Sequence, residues 1–267
     1  MRHQAGVLAF LVFTAPALIA AAAGPALAGR PEPADSRRSG FTFMTPQVQA
    51  MQRDDALNPA MLWVGDGEAL WNAKAGASQQ ACAACHGDAR TGMRGVAARY
   101  PAFDAASSRP VDLRHRINLC RLNHQLASPL PPESQDLLSL ESYLALQSRG
   151  LPIAPPADAR LRAPTERGAA RFKQRIGQLD LSCAQCHDDH AGQRLGGSTI
   201  AQAHPTGYPL YRLEWQGLGS LQRRLRNCMT GVRAEPFAYG APELLELELY
   251  LMQRAAGLPM ESPAVRP

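Results

Sequence analysis

Apolar residues recur at intervals of three and four positions through most of the chain after residue 60. Stretches in which apolar and polar residues alternate, as they do in half-buried β-strands, are almost absent. This pattern predicts an all-α fold built from short amphipathic helices. Residues 29–59 are rich in Pro, Ser, Gln and charged residues and have no clear period. We expect them to form an extended arm.

Residues 1–28 carry a different pattern. Arg2 and His3 precede a long apolar run, and Ala26–Ala28 has the A-x-A form of a cleavage site. These features predict a secretory signal peptide that is removed before Gly29. A retained membrane anchor is the alternative, because the apolar run is long. Nothing later in the sequence approaches a membrane span, so we expect no stable membrane insertion.

The rest of the chain repeats itself at a separation of roughly a hundred residues. Each copy begins with a Gly followed four positions later by an aromatic residue, and ends in an apolar helix that carries a Leu and a Tyr. Because Gly lets a second helix approach closely, we expect each Gly/aromatic pair to cross the Leu/Tyr stripe of its own half. Generic amphipathic helices are the alternative. The expected crossings join Gly67 and Trp71 to Leu140 and Tyr143, and Gly168 and Phe172 to Leu247 and Tyr250.

Two motifs, Cys82–His86 and Cys183–His187, read C-x-x-C-H. In this pattern both thiols bond covalently to a haem and the His is an axial ligand of its iron. A redox C-x-x-C or half of a zinc site is the alternative, but neither requires a His after both copies. We therefore expect two covalently bound haem c groups per chain. The attachment residues are Cys82, Cys85, Cys183 and Cys186, and the iron ligands are His86 and His187.

Helix, haem motif, loop and closing helix follow one another as in a class I cytochrome c domain, which each half resembles. The sequence therefore predicts two tandem class I cytochrome c-like domains related by internal duplication, over residues 60–154 and 155–267. The Pro-rich stretch 151–157 predicts a stiff linker between them. Residues 261–267 have no period and predict an irregular tail.

The ligand on the far side of each iron is usually Met in a class I cytochrome. The methionine candidates are Met93, Met229, Met252 and Met260, and Met93 has no matching Met in the other half. Cys120 and Cys228 do hold matching positions, and a thiolate is a strong iron ligand, so we expect these two cysteines to be the second axial ligands. A Cys120–Cys228 disulfide, or two buried inert thiols, is the alternative.

Arginines crowd around Cys228, at positions 223, 224, 226 and 233. On a helix, Arg224 lies on the same face as Cys228, because four residues separate them. Its planar guanidinium is suited to holding an oxyanion beside the sulfur. A solvated basic face, or salt bridges to haem propionates, is the alternative.

The overall charge narrows the choice of partners. The formal net charge is +5 and the pI is about 9.1, but the blocks of Lys and Arg that are typical of nucleic-acid binding are absent. We therefore expect no nucleic-acid partner. The six cysteines are accounted for by the two haem motifs and the Cys120/Cys228 pair.

Three runs in the second half, His204–Trp215, Leu221–Ala234 and Tyr239–Tyr250, resemble the SoxA family, the diheme subunits of SoxAX cytochromes. The resemblance implies a periplasmic L-cysteine S-thiosulfotransferase that pairs with the monoheme cytochrome SoxX as a heterodimer. This enzyme joins thiosulfate oxidatively to a cysteine of the carrier SoxYZ, and two electrons leave through haem. The resemblance places the catalytic roles on Cys228, which can carry an extra sulfur, and on Arg224.

Three other functions compete with this interpretation. A plain diheme electron carrier would explain both haem motifs but not the arginines beside a thiol ligand. A diheme peroxidase needs an open coordination site, whereas both irons are expected to have six ligands. A structural binding module gives no reason for two redox cofactors.

Overall fold

The computed structural model describes residues 36–267, and residues 37–267 form one compact unit. The expected signal peptide, residues 1–28, lies outside the described residues. Along the described part of the chain, no helix has the length and apolar character needed to cross a bilayer.

Helices make up most of the regular structure between residues 36 and 267. The α-helices are α1 (Pro46–Arg53), α2 (Ala60–Asn72), α3 (Cys82–His86), α4 (Ala89–Gly92), α5 (Leu113–Cys120), α6 (Gln135–Leu146), α7 (Arg162–Lys173), α8 (Leu221–Gly231) and α9 (Pro242–Arg254). Short 3₁₀ turns lie at Gly40–Phe43, Ala97–Arg99 and Ala159–Leu161, and wider π turns at Arg121–Gln125 and Gln185–Asp189.

The fold also contains short β-strands, which corrects the expectation of a purely α-helical chain. The strands are β1 (Ala102–Asp104), β2 (Arg109–Val111), β3 (Arg194–Leu195), β4 (Ser198–Thr199), β5 (Leu210–Arg212), β6 (Gly217–Gly219) and β7 (Ala264–Arg266). Three antiparallel hairpins pair β1 with β2, β3 with β4 and β5 with β6, and β7 adds to β5 in parallel. Each strand has only two or three residues, too few for an alternating pattern to be visible in the sequence.

The two expected helix crossings are confirmed. A Cβ at Gly67 would lie 2.1 Å from the Ser139 carbonyl oxygen, so α2 and α6 touch backbone to backbone at that point. At Gly168 the corresponding distance to the Glu246 carbonyl oxygen is 1.9 Å, where α7 crosses α9. The aromatic residues pack beside each crossing. Ring centroids are 6.2 Å apart for Trp71 and Tyr143, and 5.3 Å apart for Phe172 and Tyr250.

A hairpin followed by a helix also repeats in the two halves. Tyr100-Pro101 and Tyr208-Pro209, both joined by cis peptide bonds, lead into β1–β2 and β5–β6. The helix that follows each hairpin is capped by a side chain that accepts from the third backbone N–H of the helix. Asp112 caps α5 and Ser220 caps α8. Each of these helices carries one of the matched cysteines, Cys120 or Cys228.

The halves pack against each other through matching segments. Pro152 and Pro259 pair in an antiparallel bridge, and backbone hydrogen bonds join Gly150 to Met260 and Ile153 to Leu258 on either side. Ile153 is only 1% exposed. The Pro-rich stretch that predicted a stiff linker is therefore built into the core at this point.

A buried group of charged side chains also joins the halves. Arg114 on α5 donates to Asp112 at 2.5 Å and to Glu248 on α9 at 2.8 Å, and Glu141 on α6 lies 4.0 Å away. The side chains of these four residues are 5–13% exposed. A cavity of about 60 Å³ lies beside them, between the two halves. Three carboxyl groups thus share one guanidinium in the interior.

The ends of the described chain pack together, which corrects two sequence-based expectations. Part of the expected extended arm is helix α1, which begins at Pro46 after the cap Thr45. The expected irregular tail contains β7, and the Gln52 side chain of α1 accepts from the backbone N–H of Val265 in that strand. Asn58 donates to the Pro263 carbonyl. Neither pairing could be read locally, because the partners lie at opposite ends of the sequence.

Candidate functional site

The second C-x-x-C-H motif is brought to α8 by the turn that follows α7. Gly177 has φ of +71°, and a Cβ there would lie 2.1 Å from the Val232 carbonyl oxygen. The backbone N–H groups of Gln178 and Leu179 donate to the carbonyls of Arg233 and Val232. This close approach fixes the motif against the end of the helix that carries Cys228. In the first half, Gly76 packs in the same way, since a Cβ there would lie 2.0 Å from the Gln125 carbonyl oxygen.

The His187 imidazole and the Cys228 sulfur face each other across the site. The two side chains interact closely enough for His187 to influence ionisation of the thiol. On its other edge, His187 donates from Nδ1 to the Ala201 carbonyl oxygen at 2.6 Å, which leaves Nε2 directed at the site. A metal-bound His is usually oriented by a bond of this kind from its second nitrogen.

The donors and the surrounding surface fit a c-type haem. The site contains three free thiols, Cys183, Cys186 and Cys228. A charge on Cys186 or on Cys228 would raise the pKa of Cys183, so the three sulfurs are neighbours. Burial is the larger cause and brings the pKa of Cys183 to about 11. Cys183 also packs against an apolar cluster. That cluster contains Phe172, Leu247 and Leu251, with Leu225 and Tyr250 at its edge. Such a wall is what a flat apolar cofactor requires.

Arg224 shares the Cys228 environment. Burial opposes ionisation of Cys228, but the interaction with His187 and the nearby charge of Arg224 outweigh it, so the pKa of this thiol is lowered from 9.0. In return, although burial opposes it, the Cys228 charge raises the pKa of Arg224. Both residues lie on α8, as the spacing of four residues predicted.

The neighbouring arginines point elsewhere. Arg223 stacks on the Trp215 ring at 4.2 Å and donates to the Leu218 carbonyl. Arg226 donates to the Phe237 carbonyl and stacks on the Tyr239 ring. The α8 arginine that reaches the thiol is therefore Arg224.

Sequence reasoning missed two further residues of this site. Tyr208 is half-buried, and burial of its phenol raises the pKa of that group, while Arg224 and Arg212 oppose the shift. Arg212, at the end of β5, is 9% exposed. Its charge also lowers the pKa of Cys228. The repeated Tyr-Pro pair before each hairpin, at Tyr100 and Tyr208, was the signal that could have found them.

The first half also brings three thiols together. Burial raises the pKa of Cys120, and Cys85 adds to the shift, while Cys120 in turn raises the pKa of Cys82. The three thiols therefore lie together, and all are free. The His86 ring packs 5.7 Å from Trp71, whose Nε1 donates to the Gly87 carbonyl. Cys120 and Cys228 each belong to the site of their own half, and no disulfide joins them.

The methionine candidates take packing positions. Met252 and Met260 are 7% and 4% exposed and lie in the large apolar cluster around α2 and α6, with Met93 at its edge. Met229, on α8 next to Cys228, is 7% exposed. The roles of Cys120 and Cys228 as axial iron ligands stay predictions.

Comparison with known proteins identifies the family. The family model described as SoxA/TsdA, cytochrome c domain, matches residues 66–153 and 167–260. The L-cysteine S-thiosulfotransferase subunit SoxA of Pseudaminobacter salicylatoxidans is 36% identical, over 88% of this chain and 82% of that protein. The subunit of the same name from Rhodovulum sulfidophilum is 35% identical, over 87% and 81% respectively.

A solved structure is similar over the same span. The crystal structure of SoxXA from P. pantotrophus superposes with a TM-score of 0.83 at 32% sequence identity, and the match covers 86% of this chain and 87% of that one. Two cytochrome c segments, the donors of a c-type haem in each half and relatives matched over most of their length point to the same group. The chain belongs to the SoxA family of cytochromes c.

Proposed function

We propose that this chain is the subunit of an L-cysteine S-thiosulfotransferase in which thiosulfate is joined to a cysteine of a carrier protein. The observation that carries the proposal is the convergence of Cys228, Arg224 and the His187 imidazole in the second half. A polarisable sulfur beside a half-buried cation suits a substrate that has a soft terminal sulfur and a charged sulfonate. The relatives that bear this enzyme name support the proposal.

The overall reaction balances as an oxidation. A carrier thiol and thiosulfate form one S–S bond, the thiol loses its proton, and two electrons are released. Haem, when bound, supplies an acceptor for these electrons. The role of Cys228 is to hold the terminal sulfur of thiosulfate through an S–S bond, and formation of this bond releases the two electrons. The carrier thiol then attacks the terminal sulfur, the bond to Cys228 breaks and the Cys228 thiolate leaves, as in thiol–disulfide exchange. Arg224 binds the sulfonate oxygens and offsets negative charge as the new bond forms.

Haem is held by side chains of both halves in this proposal. Thioether bonds form at Cys82 and Cys85 in the first half, and at Cys183 and Cys186 in the second. His86 and Cys120 would hold the iron of the first haem, and His187 and Cys228 would hold that of the second. The matching helix crossings and hairpins support two haems per chain and an origin of the halves by duplication.

The partners and the compartment follow from the family. The similar P. pantotrophus structure is described as SoxXA, which supports a heterodimer with the monoheme cytochrome SoxX. The carrier that receives the sulfur is SoxYZ in this proposal, and the expected signal peptide supports a reaction in the periplasm. A plain diheme electron carrier is the competing function, but it requires no arginine beside Cys228.

Single substitutions test the two roles in the haem-loaded complex with its partner subunit. Cys228→Ala should abolish thiosulfate turnover and change the haem spectrum. Arg224→Ala should leave the spectrum nearly unchanged and lower turnover by about 10²-fold or more, because it removes only charge stabilisation. Arg224→Lys should recover part of the rate, since an ammonium lacks the planar fork.

Arg226→Ala is the matched control, because Arg226 lies on the same helix but contacts Phe237 and Tyr239 instead of the thiol. Its effect on turnover should be mild. Retained activity in Cys228→Ala would refute the sulfur chemistry. Normal turnover in Arg224→Ala, together with a large loss in Arg226→Ala, would show that the anion site lies on the other side of α8.

A further inference from the structure

The two halves place different charges at one matched pair of positions. Asp104 ends β1 of the first hairpin, and Arg212 ends β5 of the second. In register, Asp104 pairs with Arg109 at the start of β2, and Arg212 pairs with Gly217 at the start of β6. The scaffold thus holds both side chains at the same point, next to the helix that carries the matched cysteine.

In the first half the charges at this point cancel. Arg116, which matches Arg224 in the repeat, donates to Asp104 at 2.5 Å. Asp104 also accepts from the backbone N–H and the hydroxyl of Ser107. The guanidinium beside Cys120 is therefore already neutralised by a carboxylate of its own half, and this side offers little to an anion.

In the second half the same two positions are both cationic. Burial and the charge of Arg224 lower the pKa of Arg212, so the two guanidinium groups sense each other. Within the described part of the chain, Arg212 Nε is buried and has no hydrogen-bond partner. Its Nη2 lies 3.1 Å from Glu214, whose side chain is 63% exposed, and such a surface pair is weak. A buried and a half-buried guanidinium side by side, one of them with an unpaired donor, are costly unless an anion satisfies them.

We infer that Arg212 is a second anion-binding residue of the Cys228 site, and that together with Arg224 it makes the site select dianions over monoanions. The inference rests on the proposed function, since it assumes that this site receives thiosulfate. Two guanidinium groups match the charge of the thiosulfate dianion, and the buried Nε supplies a donor that Arg224 alone does not. The position of Asp104 explains why the first half lacks such a site.

Equilibrium binding separates this role from turnover. Thiosulfate and the monoanion methanethiosulfonate, which replaces one oxygen by a methyl group, are titrated calorimetrically into the haem-loaded complex without the carrier protein. Arg212→Gln should weaken thiosulfate binding by about 10- to 100-fold, the value of a charge-assisted hydrogen bond, and change methanethiosulfonate binding by less than about threefold. Arg212→Lys should retain most of the preference for the dianion.

Arg223→Gln is the matched control, because Arg223 also stacks on the Trp215 ring but donates to the Leu218 carbonyl, so this variant should leave both affinities unchanged. Glu214→Gln is the second variant, to be used if Arg212→Gln does not fold. Because Glu214 is exposed, this change should leave the fold intact. It frees Arg212 from its competing partner and should tighten thiosulfate binding about two- to fivefold.

Each outcome decides between the two proposals. If the unmodified complex binds neither anion, the proposed function and this inference both fail. If it binds thiosulfate and Arg212→Gln binds equally well, or loses both anions to the same extent, only the inference fails. A weaker or unchanged thiosulfate affinity in Glu214→Gln would also overturn it.

Discussion

Raising the pH from about 5 to about 8 should destabilise the folded chain through the carboxyl groups around Arg114. Burial raises the pKa of Glu141 from 4.5 to about 8 and that of Glu248 from 4.5 to about 7, although Arg114 opposes both shifts. Between these pH values the folded chain binds more protons than the unfolded chain. Its free energy of unfolding therefore falls as the pH rises, and the loss is complete only above the folded pKa values.

The size of the effect follows from the same values. A single carboxyl whose pKa is raised from 4.5 to about 8 corresponds to about 5 kcal/mol at high pH. Glu141 and Glu248 share one guanidinium and titrate together, so we expect a combined loss of about 2–4 kcal/mol between pH 5 and 8. Asp112 does not add to it. Although burial opposes the shift, Arg114 lowers the pKa of Asp112. Asp112 is therefore ionised in both the folded and the unfolded chain throughout this pH range, and its contribution to stability does not change.

Urea unfolding of the haem-loaded chain, followed by circular dichroism at several pH values, measures this loss. Glu141→Gln keeps the side-chain shape but cannot ionise, so it should reduce the slope and be more stable than the unmodified chain at pH 8. Glu166→Gln, at an exposed position of α7, is the control and should keep the full slope. A chain that is equally stable at both pH values, or an unchanged slope in Glu141→Gln, would refute the reasoning.

Three further predictions test the scaffold and the cofactors. Gly168→Ala should lower the free energy of unfolding, measured in urea, by about 2–3 kcal/mol, because the added Cβ meets the Glu246 carbonyl oxygen at 1.9 Å. Gly65→Ala is the control. Its Cβ would meet open space, so the free energy of unfolding should stay the same or rise by up to about 1 kcal/mol. The mass of the mature chain from Gly29 should exceed that of the polypeptide by two haems, and haem that acidic acetone extracts would contradict covalent attachment. Cys120→Met should raise the reduction potential of the first haem in a redox titration, while thiosulfate turnover survives in part. Complete loss of turnover in a folded variant would place the active site in the first half.

Local spacing was enough to predict the helix crossings. A Gly four residues before an aromatic residue fixes both on one helix face, and the same order in two halves identifies the partner helix. The meeting of Cys228 and Arg224 was predictable for the same reason, since both lie on α8. These features depend on neighbours within a few residues, where the helical period carries the information.

Features that depend on packing between distant segments were not predictable in this way. The strands are too short to show a period, and β7 joins β5 only because the tail returns to the hairpin. Arg114, Glu141 and Glu248 resemble surface charges in the sequence, since each lies in an otherwise ordinary helix. They are buried because the two halves meet at that point, and no local pattern reports such an interface.

The repeat itself shows which sequence differences matter for chemistry. Positions that the two halves share, such as the close-approach glycines, serve the scaffold, since each of them allows the same backbone contact in both halves. A difference at a matched position changes the chemistry while the scaffold stays fixed. Asp104 and Arg212 are such a difference, because one strand end neutralises its arginine and the other adds a second cation. In a chain with two matching halves, departures from the match at buried positions are therefore the residues to examine first for function.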